Sequence, residues 1–111
     1  MKNISFAATI PQIMNRSKTV TRRLKWERLL PGQRLRAVEK CMGLKKGERV
    51  CVLAEIEIIS VSREPLAAIT AEDVVAEGFP HWTPSQFIEF FCRSMKVTPE
   101  RELTRIEFHY A

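Results

Sequence analysis

The sequence predicts a single α+β domain, residues 1–111, in which strands are separated by short helices. Its 111 residues are enough for one hydrophobic core and too few for two. Segments that alternate apolar and polar residues indicate several strands, and two helix-start signals occur in the second half of the chain. The strands are too few and too uneven in spacing for a parallel βαβ fold, so we expect a different arrangement of the sheet.

The first half of the chain predicts two strands and a helical turn. Residues 3–8 indicate a short strand, and Pro11 suits the first turn of a short helix that follows it. Pro31-Gly32 is a strong turn signal. Residues 35–38 come next and alternate as a half-buried strand does.

The second half of the chain contains the clearest strands. Residues 43–47 predict a basic hairpin loop, and residues 50–62 alternate over the longest strand. Residues 103–110 alternate up to the last residues, which predicts a strand with one apolar face. That face carries Ile106, Phe108 and Tyr110.

Two helices are expected between these strands. Thr70 is a candidate N-cap, Asp73 is placed as the acidic member of a capping box, and Gly78 ends the first helix. Thr83 and Pro84 begin the second helix. Its apolar side chains form a wide stripe that we expect in the core: Phe87, Ile88, Phe90, Phe91 and Met95.

Positive charge is concentrated in one region. The net charge is +5, yet residues 16–49 contain twelve of the eighteen Lys and Arg residues and only three Glu, a local net charge of +9. A polarised basic face favours a nucleic acid or nucleotide as partner. The alternative is that these residues only solvate the surface.

Cysteine and hydropathy patterns set further expectations. Cys41, Cys51 and Cys92 are odd in number and lack CxxC spacing, so we expect reduced thiols, no metal site and no cofactor. The first residues lack the apolar run of a signal peptide. The sequence also contains no stretch of about 18 consecutive apolar residues, the length needed to cross a bilayer. We therefore expect a cytoplasmic protein that does not bind membranes.

Residues 17–23, SKTVTRR, contain the densest cluster of side chains that can bind an anion or take part in a reaction. Lysine and arginine donate hydrogen bonds to phosphate or carboxylate, and a threonine hydroxyl becomes a nucleophile when a base activates it. Trp26 follows shortly afterwards and could stack on a base or cover the core. The segment predicts a site for an anionic, planar ligand.

Four motifs in a fixed order resemble the ASCH domain, particularly its short phage- or prophage-associated members. They cover nearly the whole chain: Lys18-x-x-Thr21-x-Arg23, Pro31-Gly32-Gln33-Arg34-Leu35, Thr70-x-x-Asp73 through Glu77-Gly78-Phe79, and Arg105-Ile106-Glu107-Phe108. The resemblance implies a small PUA-like β-barrel of about five to six mostly antiparallel strands with two to three short helices. It also implies a cleft at the barrel mouth lined by the first motif.

The resemblance further implies a function connected with RNA. ASCH domains are regarded as RNA-binding or RNA-associated, and some are hydrolases. One branch removes the acetyl group from acetylated cytidine with a lysine, a threonine and a glutamate, and another has been described as cleaving RNA. Carried onto this sequence, Lys18, Thr21 and Glu77 are the expected catalytic residues. The expected substrate- or RNA-binding residues are Arg22, Arg23, Trp26, Arg34, Arg36, Lys45 and Lys46.

Two physical conditions apply to this hydrolase hypothesis. A lysine with a pKa of about 10.4 is a poor base at neutral pH, so Lys18 must be desolvated or lie beside other cations. Residues three apart on a strand point to opposite faces, so Lys18 and Thr21 share a site only if the chain bends between them. The alternatives are a non-catalytic RNA-binding module and a phage protein that binds a host protein. The oligomeric state stays open, with a monomer favoured.

Overall fold

A computed structural model describes residues 1–40 and 45–111 of the chain. Cys41 and residues 43–44 of the predicted hairpin loop lie outside these ranges. Within them no helix is both long and apolar enough to cross a membrane. The helices and strands are, in chain order, β1 (Asn3–Ser5), α1 (Ile10–Met14), β2 (Val20–Arg23), β3 (Arg34–Val38), β4 (Val52–Pro65), α2 (Ala71–Ala76), α3 (Pro84–Met95) and β5 (Glu102–Tyr110), with 3₁₀ turns at Ala7–Thr9 and Leu66–Ala68.

The described strands form one mixed, mostly antiparallel sheet in the order β1-β3-β4-β5-β2. Only the β1–β3 pair is parallel. Strand β4 pairs with β3 on one side and β5 on the other, and irregularities between Ile58 and Ser60 and between Ala37 and Val38 bend the sheet. The two edge strands approach each other, since Arg23 Nη2 of β2 donates to the Ser5 carbonyl of β1 at 2.6 Å. This architecture confirms the predicted α+β class.

The core has two parts. One lies within the curved sheet and includes Ile4, Leu35, Ile56, Ile106 and Phe108. The other lies between the sheet and the helices and is formed by Leu66, Ile69, Val74, Phe87, Phe91 and Leu103. Burial of each large apolar side chain stabilises the fold by about 1.5–3 kcal/mol. The second cluster therefore fixes α2 and α3 against one end of the sheet.

Several local predictions hold and two are wrong in detail. Thr83 caps α3 with a complete capping box. The first strand, expected over residues 3–8, ends at Ser5: its partner β3 ends at Val38, whose carbonyl accepts from the Phe6 N–H, and a 3₁₀ turn follows. Met95 was expected in the core, but it lies in the last turn of α3 and is 44% exposed.

Candidate functional site

Lys18 lies in an irregular segment just before β2. Its N–H donates to the Gln12 carbonyl at 3.1 Å, and the next N–H, of Thr19, donates to the Ala76 carbonyl at 2.8 Å. The Tyr110 hydroxyl donates to the Lys18 carbonyl at 2.6 Å, and burial raises the pKa of Tyr110 to about 12, so this donor stays protonated. These contacts to α1, α2 and β5 hold Lys18 outside β2, so the alternation of side chains along the strand does not apply between Lys18 and Thr21. Both side chains therefore line one cavity, as the hydrolase hypothesis requires.

The Lys18 ammonium group contacts the last turn of α2. Its Nζ donates to the Glu77 carbonyl at 2.8 Å and to Glu77 Oε1 at 2.7 Å. Lys18 is 3% exposed and Glu77 is 2% exposed. A buried ammonium that donates to both a peptide oxygen and a carboxylate has a fixed position. The structure thus brings together two of the three residues predicted to be catalytic.

Gly78 allows the backbone after Glu77 to turn back. Its φ is +101°, and a Cβ at this position would lie 2.7 Å from Cγ and 2.9 Å from Cβ of Gln12. Gln12 in turn donates from Nε2 to the Gly78 carbonyl at 3.3 Å. An L-residue at Gly78 is therefore disfavoured twice, by its backbone conformation and by a contact with α1.

We expect Gly78→Ala to lower the free energy of unfolding by more than the about 1–3 kcal/mol of a strained backbone alone, because the added Cβ also displaces Gln12. The matched control is Gly47→Ala, where φ is +85° and nothing lies within 4 Å of the added Cβ. Urea unfolding of both variants gives the comparison. Equal losses of stability would show that the Gln12 contact carries no cost.

Arg22 is the centre of a buried charge network. Its Nη1 donates to Glu77 Oε2 at 3.0 Å, and its Nη2 donates to both Asp73 Oδ2 and Glu64 Oε1 at 2.6 Å. Its side chain is 0% exposed. Arg22 was expected to bind substrate, and this role stays a prediction: Arg22 lines the cavity, and its terminal nitrogens donate to three carboxylates. It holds the Glu77 carboxylate on the side opposite Lys18.

Asp73 connects this network to the sheet. Arg105 of β5 donates from Nε to Asp73 Oδ2 at 2.7 Å and from Nη2 to Oδ1 at 3.0 Å. Hydrogen bonds from Arg105 and then Arg22 lower the pKa of Asp73 from 3.8 to about 2. The capping-box prediction was half right: Thr70 Oγ1 accepts from the Asp73 N–H, while the Asp73 carboxylate binds the two arginines.

The surroundings of Lys18 lower its pKa. Removal from water lowers the pKa of its ammonium group below the usual 10.5, and the nearby charges of Arg23 and Arg22 act in the same direction. The attraction of Glu77 opposes this shift without cancelling it. The neutral amine is thus more accessible than in an exposed lysine.

The cavity beside Lys18 has a volume of about 200 Å³. Charged and polar residues line part of it: Lys18, Thr21, Arg22, Arg23 and Glu77, together with Ser5, Thr9 and Ser94. Arg23 Nε donates to Thr21 Oγ1 at 3.1 Å, and its guanidinium lies over the Phe6 ring at 4.7 Å from the centroid. Aromatic side chains form much of the remaining wall: Phe6, Phe79, Phe87, Phe90 and Phe91. Three of these, in α3, were predicted as core alone, and they have a second role as cavity wall.

Comparison with solved structures identifies the fold. A DUF984 protein of Enterococcus faecalis V583 matches with a TM-score of 0.66 at 18% identity, over 99% of this chain and 79% of that one. An ASCH domain from Lactobacillus crispatus JV V101 matches with a TM-score of 0.66 at 17% identity, over 98% of this chain and 78% of that one. This chain has an ASCH-like fold. No protein-family model and no curated protein sequence gives a significant match.

The ASCH-like fold confirms the small α+β architecture that the four motifs implied. The first motif ends on β2, which is an edge strand of the sheet. The segment before β2 contacts the last turn of α2. Association with phage stays a prediction.

Five of the expected binding residues are not part of the cavity in this ASCH-like chain. Arg34 and Arg36 are exposed on β3, where Arg34 pairs with Glu57 at 3.2 Å and Arg36 donates to Asn3 Oδ1 at 2.9 Å. Lys45 and Lys46 are exposed at a turn between β3 and β4. Trp26 lines a separate groove.

Sequence reasoning missed part of the site. Glu64 and Arg105 are half-buried partners of the Arg22 and Asp73 network, and Tyr110 was expected only in the core. Arg105 lies in one of the quoted motifs, which is a signal for its importance. No local pattern indicates its partner on α2.

Proposed function

We propose that this protein is a hydrolase that removes an acyl group from the exocyclic amine of a cytidine-type nucleoside. Thr21 is the nucleophile, Lys18 is the base, and Glu77 holds and relays the proton. The single observation that carries this proposal is the position of Lys18: it is 3% exposed, bonded to Glu77, and on the wall of the same cavity as Thr21.

The reaction follows from these groups. Neutral Lys18 accepts the proton of the Thr21 hydroxyl as Oγ1 bonds to the acyl carbon. The carbon–nitrogen bond then breaks. The proton passes from Lys18 to Glu77 and from Glu77 to the leaving amine. Water attacks the acyl-threonine ester, which releases the carboxylic acid and returns a proton to Thr21.

Arg23 and Arg22 support this chemistry in different ways. Arg23 Nε donates to Thr21 Oγ1 at 3.1 Å, so it stabilises negative charge that develops on that oxygen. Arg22 donates a hydrogen bond to Glu77 Oε2, which keeps that carboxylate oriented toward Lys18.

The cavity favours a base-sized ligand. Its volume of about 200 Å³ is below the range of about 300–1,000 Å³ typical of sites that enclose a whole drug-sized molecule. Its aromatic wall suits a planar ring. Because the polar groups are buried, they are better placed for the amide of an inserted base than for a hydrated phosphodiester backbone. The ribonuclease version of the hydrolase hypothesis is therefore the less favoured one.

The test is to incubate the protein separately with acetylated cytidine and with labelled single-stranded RNA. We expect cytidine and acetate in equal amounts from the first substrate. Thr21→Val is expected to abolish this release, while Thr19→Val, the same change two residues away and outside the cavity lining, is expected to preserve it. Shortened RNA with intact acetylated cytidine would instead support the ribonuclease version.

A non-catalytic RNA-binding module is the second candidate, favoured by the exposed basic residues outside the cavity. Arg34, Arg36, Lys45 and Lys46 are all exposed, and the ASCH-like fold supports an RNA partner. This candidate predicts RNA binding that weakens steeply with salt and no product from either substrate. Release of acetate would contradict it.

A further inference from the structure

We propose that the groove around Trp26 binds single-stranded RNA next to the cavity, so that the acylated base is presented from within an RNA strand. This inference rests on the proposed function for the chemistry in the cavity. The groove itself can be tested without any turnover.

The groove has the composition of a single-strand binding surface. Its volume is about 530 Å³, and Trp26 and Leu29 supply its apolar part. Lys2, Lys25 and Arg28 supply three positive charges along it. An aromatic ring beside a row of cations is the arrangement that binds single strands, since the ring stacks on a base and the cations contact phosphates.

The cations of the groove are available to a ligand. Lys2, Lys25 and Arg28 are exposed, and in the part of the chain that the structure describes their side chains make no ion pair or hydrogen bond. The carboxylate in the groove, Glu27, lies 3.5 Å from Arg63 Nη1, which offsets its charge. The groove therefore attracts an anionic polymer.

Trp26 is fixed in an unusual backbone conformation. Its φ is +67°, in the left-handed region that bulky residues rarely adopt. The indole packs on the core cluster within the sheet and remains half-buried, so part of it faces the groove. Packing on one side thus holds the ring in place for a ligand on the other.

Two strands connect the groove to the cavity. Lys2, the residue before β1, lines the groove, and Ser5, the last residue of β1, lines the cavity; they are about 10 Å apart along the chain at about 3.3 Å per residue. At the other edge of the sheet, Arg23 is the last residue of β2 and lines the cavity, and Lys25, two residues beyond the strand, lines the groove. An RNA strand that places one base in the cavity therefore has its neighbouring nucleotides close to Trp26.

The test is fluorescence anisotropy with a labelled, unmodified pyrimidine RNA of about ten nucleotides, within the range of single-strand site sizes. We expect the double variant Lys25→Glu/Arg28→Glu to weaken binding at least about tenfold and to reduce the salt slope by about two. Trp26→Ala is expected to weaken binding about five-fold to a hundredfold. Because Trp26→Ala also removes core packing, the charge variant keeps the test valid if Trp26→Ala fails to fold.

The control is Lys40→Glu/Arg101→Glu, which makes the same charge change at exposed positions outside the groove. If the groove variant and the control bind RNA equally, the inference is overturned. Hydrolysis of the free nucleoside would in that case leave the proposed function intact. Conversely, a specific loss of RNA binding in the groove variant, with no hydrolysis by the wild type, would support the groove and contradict the proposed function.

Discussion

Replacing Lys18 with arginine is expected to lower kcat/KM for acetylated cytidine by at least about a hundredfold, the lower end of what a general base contributes. Arginine keeps the positive charge beside Glu77 but cannot lose its proton, so it cannot accept one from Thr21. Lys18→Met removes both the base and the charge and is expected to be at least as inactive. The arginine variant thus separates the role of Lys18 as a base from its role as a cation.

The matched control for Lys18 is Lys40→Met, because Lys40 is exposed and does not line the cavity. Initial rates of acetate release give kcat/KM for each protein, and circular dichroism establishes that each is folded. Activity of Lys18→Arg within a few-fold of the wild type would contradict the assignment of Lys18 as the base.

Replacing Arg22 with methionine is expected to lower the free energy of unfolding by about 3–5 kcal/mol, the cost of removing one partner from a buried ion pair. Methionine leaves Glu77 Oε2 without the donor it has at 3.0 Å. Asp73 retains Arg105, so most of the cost arises at Glu77 and at Glu64. We also expect lower activity in the folded fraction, because the Glu77 carboxylate then keeps the hydrogen bond from Lys18 and loses the one from Arg22.

The matched control for Arg22 is Arg34→Met, which breaks the exposed pair between Arg34 and Glu57. Exposed pairs contribute about 0–1 kcal/mol, so the control should unfold at nearly the wild-type urea concentration. A similar small loss for both variants would show that the Arg22 network does not hold α2 against the sheet.

The sequence predicts elements whose signals are local. The alternation along β4 and β5 and the capping box at Thr83 each follow from a few neighbouring residues, and the structure has them at nearly the expected positions. The first strand was predicted too long because its end depends on its partner strand. Strand β3 ends at Val38, so β1 has no further residue to pair with. Sheet order depends on contacts of this long-range kind.

The candidate site divides in the same way. The spacing of Lys18 and Thr21 was visible, because both belong to one short motif. The partners of Arg22 were not visible, since Asp73 is 51 residues away and Glu64 is 42 residues away. From the sequence, an acidic residue three positions after an N-cap threonine is interpreted as the acidic member of a capping box. Only the fold shows that two arginines contact the Asp73 carboxylate. Arg34 and Arg36 of β3 lie outside the cavity, and their role in RNA binding stays a prediction because charge alone does not give position.

The most direct test of the account is the pH dependence of acetate release from acetylated cytidine by the wild-type protein. The neutral form of Lys18 is the active one, so kcat/KM should rise with pH through an apparent pKa below the ordinary 10.5 of lysine. The rise has this sign because deprotonation creates the base. Absence of acetate at every pH, or release that is unaffected by Thr21→Val, would contradict the central claim that the buried Lys18 and Thr21 form a hydrolytic site.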